Sequence, residues 1–118
     1  MANPTSAQHL AWAADNEKFA KSIRPKAPDW CAVALFYIAV HEVQALILDL
    51  LGKRPGNHTE RRSFIQANWL AVWGPYDHLY QLSREARYEC YQPTDRDLND
   101  AMLMLAKFRL EIAAARGK

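Results

Sequence analysis

One segment limits the possible folds more than any other. From Asp29 to Gly52 the chain reads "DWCAVALFYIAVHEVQALILDLLG", and its first half is apolar on nearly every side of a helix. A surface helix carries one apolar stripe, whereas a helix apolar all round needs neighbours all round. The segment therefore predicts a central helix starting near Asp29 and ending before Gly52, whose freedom in φ suits a helix stop. Its longest uncharged apolar run, Trp30 to Val40, is too short to cross a bilayer and is followed by His41–Glu42. Such a run reads as the core of a globular chain, with no membrane partner.

The neighbours follow from the punctuation at Pro25–Pro28, Gly52–Gly56, Gly74–Pro75 and Gln92–Pro93. A first helix is predicted from Thr5 or Ser6 to Ile23, with Thr5 and Ser6 as natural caps. Its inward stripe would be Trp12, Phe19 and Ile23 with Ala13 and Ala20 beside them. A third begins after His58, with Thr59 as cap and Phe64, Ile65 and Trp69 apolar, and ends by Gly74–Pro75. A fourth runs from Tyr76 to Glu89 with Leu79, Leu82 and Ala86 inward. "QPTDRD" breaks the chain and starts the last helix, where Thr94 and Asp97 have capping-box spacing; that helix reaches about Ala115. No segment alternates cleanly enough to be a strand. Short turns between long amphipathic helices favour antiparallel neighbours. The expectation is an all-α, up-down antiparallel bundle of about five helices in a single domain, residues 1–118. On the last helix Leu98, Met102, Leu105, Phe108 and Ile112 fill one face while Leu103 and Leu110 lie off it; either the bundle wraps this helix or, as is favoured, the surplus meets a second subunit in a homodimer.

Fifteen Lys+Arg against thirteen Asp+Glu leave a net charge of +2, so only local clustering can speak for nucleic acid. The two cysteines, Cys31 and Cys90, are far apart, and "MANPTSAQ" has no apolar core, so the expected compartment is the cytoplasm with both thiols free. "HEVQA" lacks the second histidine of a zinc helix, and no other ligand spacing points to a metal. Glycine-rich phosphate loops and a Gly-x-Ser-x-Gly elbow are missing from the sequence, and no cofactor is implied.

Three polar groups in apolar settings remain. Tyr37 and His41 are four apart on the central helix and share a face, as a satisfied core pair or as part of a site. Arg84, Arg87 and Tyr88 share a face of the fourth helix; guanidinium forks suit phosphate, and a phenol can stack on a base, unless the arginines are solvated or pair with Glu85 and Glu89. The densest basic cluster runs from Lys53 to Arg62, with His58, Arg61 and Arg62 gathered at a helix start, where the positive end of the peptide dipoles favours anions.

Taken in order, "ALFYIAVHEVQALI", a glycine turn, "NHTERRSFI", "LYQLSREARYE" and "DRDLNDAMLMLAKFRLEI" resemble a HEPN-domain protein of the small stand-alone kind, over about Ala27 to Ile112. The resemblance implies an all-α bundle, usually a dimer, that binds nucleotides or RNA. It also implies relatives among toxin–antitoxin systems and a minimal nucleotidyltransferase as partner. Tyr37 and His41 match the family's "YxxxH" helix, His58 its loop histidine, and Arg87–Tyr88 its "R-x-A-x-Y"-like element. The ribonuclease members carry Arg and His with four to six residues between them; Arg54 and His58 here have three, so no catalytic role transfers. The expected function is a nucleotide- or RNA-binding module using Tyr37, His41, His58, Arg61, Arg62, Arg84, Arg87 and Tyr88. One alternative is a divergent metal-independent ribonuclease with His41 or His58 as general acid or base. The other is an antitoxin-like interaction subunit.

Overall fold

A computed structural model describes residues 3–118; residues 1 and 2, which open "MANPTSAQ" and count in the single-domain expectation, lie outside the described residues. Five helices account for the structure: α1 (Ser6–Ile23), α2 (Pro28–Leu51), α3 (His58–Asn68), α4 (Leu70–Tyr88) and α5 (Asp95–Arg116). There is no strand among the described residues, and the chain is all-α.

The local chemistry explains most boundaries. Thr5 caps α1: its hydroxyl accepts from the Gln8 amide at 3.1 Å, and the Gln8 side chain accepts from the Thr5 amide at 2.8 Å. Thr94 and Asp97 form the same reciprocal box at the head of α5. Gly52 ends α2 at φ 66°, a left-handed conformation that costs a residue with a Cβ but not glycine.

α2 is the centre, as its composition requires. Ile38, Ala39, Val43, Ala45, Leu46 and Ile47 are wholly buried. The helix is long and apolar enough to cross a membrane by length and composition alone, but 78% of that window is covered by the other helices. α1 runs antiparallel to it, since Ser6 bonds to Asp49 near its start while its end meets Cys31. α4 is antiparallel as well: Tyr76 and Tyr80 pack on Phe36, and Ala86 lies by Val33. α5 runs parallel to α2, with Arg109 on Glu42 and Arg116 on Asp49. The result is an up-down bundle, with α3 folded back along the first half of α4.

Two expectations are corrected here. Gly74–Pro75 does not divide the third and fourth helices; the break falls at Trp69, whose φ of −144° and ψ of 70° leave the helical region. Its amide still donates to the Ile65 carbonyl at 2.7 Å and its carbonyl accepts from Val72 at 2.9 Å, so the turn is satisfied. Pro75 then sits in the second turn of α4, where it withholds one donor from the carbonyl four residues back. Gly74 before it has no Cβ to crowd the pyrrolidine ring.

Second, the inward stripe of α1 is narrower than expected. Ala13 and Ala20 are buried and Ile23 packs against the core, as expected, but Trp12 and Phe19 are 61% and 46% exposed. Neighbouring residues point about 100° apart on a helix, so with the alanines innermost the two large rings swing to the rim. Small residues let α1 approach α2 closely, and polar side chains complete the seam. Arg109 of α5 donates to Glu17 of α1 at 2.8 Å and to Glu42 of α2 at 2.8 Å, tying three helices together. Its hydrogen bond holds the Glu17 carboxyl below its ordinary range.

Candidate functional site

The start of α3 organises one side of the site. Asn57, not Thr59, is the cap: its side-chain oxygen accepts from the Glu60 amide at 2.9 Å, and Glu60 reaches back to the Gly56 amide at 3.1 Å. Asn at this position is among the best caps, and the glutamate three residues on ties down the amide just before it. Thr59 instead lies in the first turn, its carbonyl accepting from Ser63. His58 is thereby the first residue of α3 and is turned towards α4.

There it enters an aromatic nest. Tyr80 stacks on the imidazole with ring centres 3.8 Å apart and planes 10° apart, and Phe36 of α2 meets it edge-on at 6.3 Å. The Tyr76 hydroxyl, wholly buried, lies 3.3 Å from His58 Nδ1 and 3.1 Å from Arg61 Nε. Arg61 Nε–H can only donate, so the hydroxyl oxygen accepts from it; the direction of the bond to His58 Nδ1 is set by the imidazole's tautomer. Burial, followed by the charges of Arg61 and Arg62, lowers the His58 pKa, with Asp77 opposing in part. Burial raises that of Tyr76.

The second imidazole lies towards α1. His41 Nδ1 faces His9 Nδ1 at 3.0 Å, which requires one ring to donate and the other to accept. Trp12 lies over His41 with ring centres 6.1 Å apart and planes 28° apart. Burial lowers the pKa of both histidines; Arg54 adds to this at His9, and at His41 the other imidazole and Arg61 do so. Arg54 is anchored by donating to the Pro4 carbonyl. Tyr37, one turn before His41, is 38% exposed and touches Phe36.

Arg61 therefore acts on His41 and His58 alike, and Tyr37 joins them through Phe36. Arg62 is exposed beside Arg61. The "SREARY" group stands further along the same α2–α4 seam. Arg87 donates to the Ser83 carbonyl at 3.4 Å, lies 5.0 Å from the Tyr88 ring centre, and shares a cavity of about 160 Å³ with Asp29, Trp30 and Val33. Seven residues separate it from Tyr80, about 10 Å of helix. Arg84 is exposed, one turn from both Tyr80 and Tyr88. The face is thus one strip with two centres rather than one compact cleft.

His9, Trp12 and Tyr76 were not singled out from the sequence. Tyr76 follows a Gly-Pro pair that looked like a break, and Trp12 looked like core. The heptad Ser6, Ala13, Ala20, with His9 and Asn16 offset by three, is the signal that could have placed His9 on the seam. No group of three or more His, Cys, Asp or Glu is placed to hold a metal among the described residues. Comparison with protein-family models and with curated proteins gives no match.

Proposed function

We propose that this chain is a HEPN-like nucleotide- or RNA-binding module that holds a phosphate chain along the strip of α3 and α4 side chains beside Tyr37 and His41 of α2. One observation carries the reading: Arg61 is oriented through Nε at 3.1 Å by the buried Tyr76 hydroxyl, which lies 3.3 Å from His58 Nδ1, so guanidinium and imidazole are fixed on one hydroxyl. The Nη nitrogens of a guanidinium held in this way are the fork that pairs with phosphate oxygens. Arg62, Arg84 and Arg87 extend the positive strip, while Tyr37 and Tyr88 offer exposed rings to bases. The sequence resemblance supports the same reading.

Binding is favoured over cleavage. A general acid and base for phosphodiester cleavage must stand on opposite sides of the scissile phosphate. His9 and His41 are bonded to each other instead, and His58 is covered by Tyr80 and bonded to Tyr76.

The test is a titration of short single-stranded RNA followed by fluorescence anisotropy at several salt concentrations. Log affinity should fall linearly with log salt, and Arg61→Ala should weaken binding about tenfold or more. Binding that ignores salt and the Arg61 substitution contradicts the reading.

A second reading has its own observation. Leu103 and Leu110 on α5 are 65% and 72% exposed, one heptad apart on a helix whose other face is core. We propose this stripe as the contact of a homodimer; an antitoxin-like pairing, or one with a nucleotidyltransferase, would use the same leucines. Sedimentation of the wild type and of Leu103→Lys/Leu110→Lys tests it: a dimer reduced to a monomer supports the contact, and an unchanged mass removes it.

A further inference from the structure

Between the start of α2 and the end of α4 a cavity of about 160 Å³ is lined by Asp29, Trp30, Val33, Ala86 and Arg87. Trp30 is 56% exposed and contributes little to the core. Asp29 and Arg87 are both half-buried and face this one space, yet no ion pair joins them among the described residues. Nor does Arg87 pair along its own helix: Glu85 lines a different hollow with Asp97, and Glu89 is exposed. Arg87 leans instead on the buried Ser83, whose carbonyl and hydroxyl accept from it at 3.4 and 3.5 Å. A first-turn aspartate also favours the start of α2, but a carboxylate turned to solvent would do that equally well. Here a carboxylate and a guanidinium stand apart across a space with an indole at its edge. Trp30 and Tyr37 are seven residues apart on one face of α2, about 10 Å, so the cavity continues the strip that leads to His58 and Arg61.

We infer that this cavity reads guanine in a single-stranded RNA: the base stacks on Trp30, gives its N1–H and N2–H to the Asp29 carboxylate, and accepts from Arg87 at O6 or N7. This rests on the reading of the strip as an RNA site. The inventory of donors and acceptors selects the base. A carboxylate only accepts and a guanidinium only donates. Of the four bases only guanine presents two adjacent N–H donors beside an acceptor, and arginine on O6 and N7 is the commonest specific contact to it. Uracil has a single N–H between two carbonyls. Adenine and cytosine have an amino group beside a bare ring nitrogen, which would face the carboxylate's lone pairs. Unstacked bases of single-stranded RNA are held in this manner, on an aromatic face with their edges hydrogen-bonded.

Anisotropy titration of an adenosine hexaribonucleotide, and of the same hexamer with one central guanosine or inosine, separates the parts. Wild type should bind the guanosine hexamer at least about fivefold more tightly than the adenosine hexamer, with inosine, which lacks the N2 amino group, between them. Asp29→Asn should remove the preference without weakening the adenosine hexamer, and Arg87→Ala should narrow it. Trp30→Ala should weaken every hexamer, because stacking tolerates any base. Equal affinity of wild type for guanosine and adenosine, a preference that survives Asp29→Asn, or inosine bound as tightly as guanosine overturns the guanine contact. The reading beneath it fails separately, when wild type binds none of the hexamers.

Discussion

Two histidines on one side of the bundle share a direction of pKa shift and little else. His58 is enclosed: Tyr80 covers one face at 3.8 Å, Phe36 meets its edge, and Tyr76 holds its Nδ1. His41 is half-buried too, but its company is a second imidazole from α1 and an exposed indole. The first corner belongs to the packing of α2, α3 and α4, and its product is a fixed Arg61. The second lies on a seam made of small and polar residues, where ring nitrogens remain for a ligand. A lowered histidine pKa therefore does not by itself mark a binding group; whether the faces and the second nitrogen are covered decides it.

The comparison can be broken most forcefully at Tyr76. Tyr76→Phe strands His58 Nδ1 and Arg61 Nε in a buried setting and should cost about 1–3 kcal/mol in urea unfolding. RNA affinity should drop with it, as Arg61 loses its brace. A variant as stable as wild type would mean that the enclosed corner is not held by that hydroxyl. Next in size, Arg61→Ala should weaken RNA binding by about tenfold or more while changing stability less than Tyr76→Phe does.

The histidines themselves sharpen the contrast through pH. Each folded pKa lies below the ordinary 6.5, so under acid conditions the unfolded chain binds more protons than the folded one. The stability this confers is whole above about pH 6.5 and is lost as pH falls through that value towards the folded pKa. Urea midpoints at pH 7.5 and 5.5 should show the fall. His41→Gln should flatten it with a small cost at pH 7.5, whereas His58→Gln should cost stability at both pH values by removing the Tyr80 stack.

The smallest effects lie at the far end of the strip. Arg87→Ala should weaken an RNA of several nucleotides and leave a mononucleotide unaffected, because about 10 Å of α4 separates it from Tyr80. Arg84→Ala should change either by less than about twofold, as exposed single charges usually do. A mononucleotide that depends on Arg87 would relocate the site to the cavity beside Trp30.

How much of this was legible in the sequence depends on which force set each feature. Apolar periodicity and capping chemistry are local, and they gave α2, α5 and the Thr94–Asp97 box nearly to the residue. The Trp69 break and the run through Pro75 were hidden because burial of Pro75 and Tyr76 outweighs proline's missing donor. α1 misled for a related reason: counting large apolar residues favours Trp12 and Phe19, but close helix approach favours Ala13 and Ala20. With the alanines innermost His9 meets His41, so this partner of a histidine already singled out was hidden until the packing was known. The His58–Arg61 half was visible because both residues belong to one helix start.

The proposed phosphate-holding face around Arg61 stands or falls on its salt dependence. Anisotropy titration of a labelled short single-stranded RNA, from low to moderate salt, runs wild type and Arg61→Ala in parallel. Log affinity should fall linearly with log salt, with a slope shallower by about one in Arg61→Ala. Equal slopes for the two proteins would contradict it.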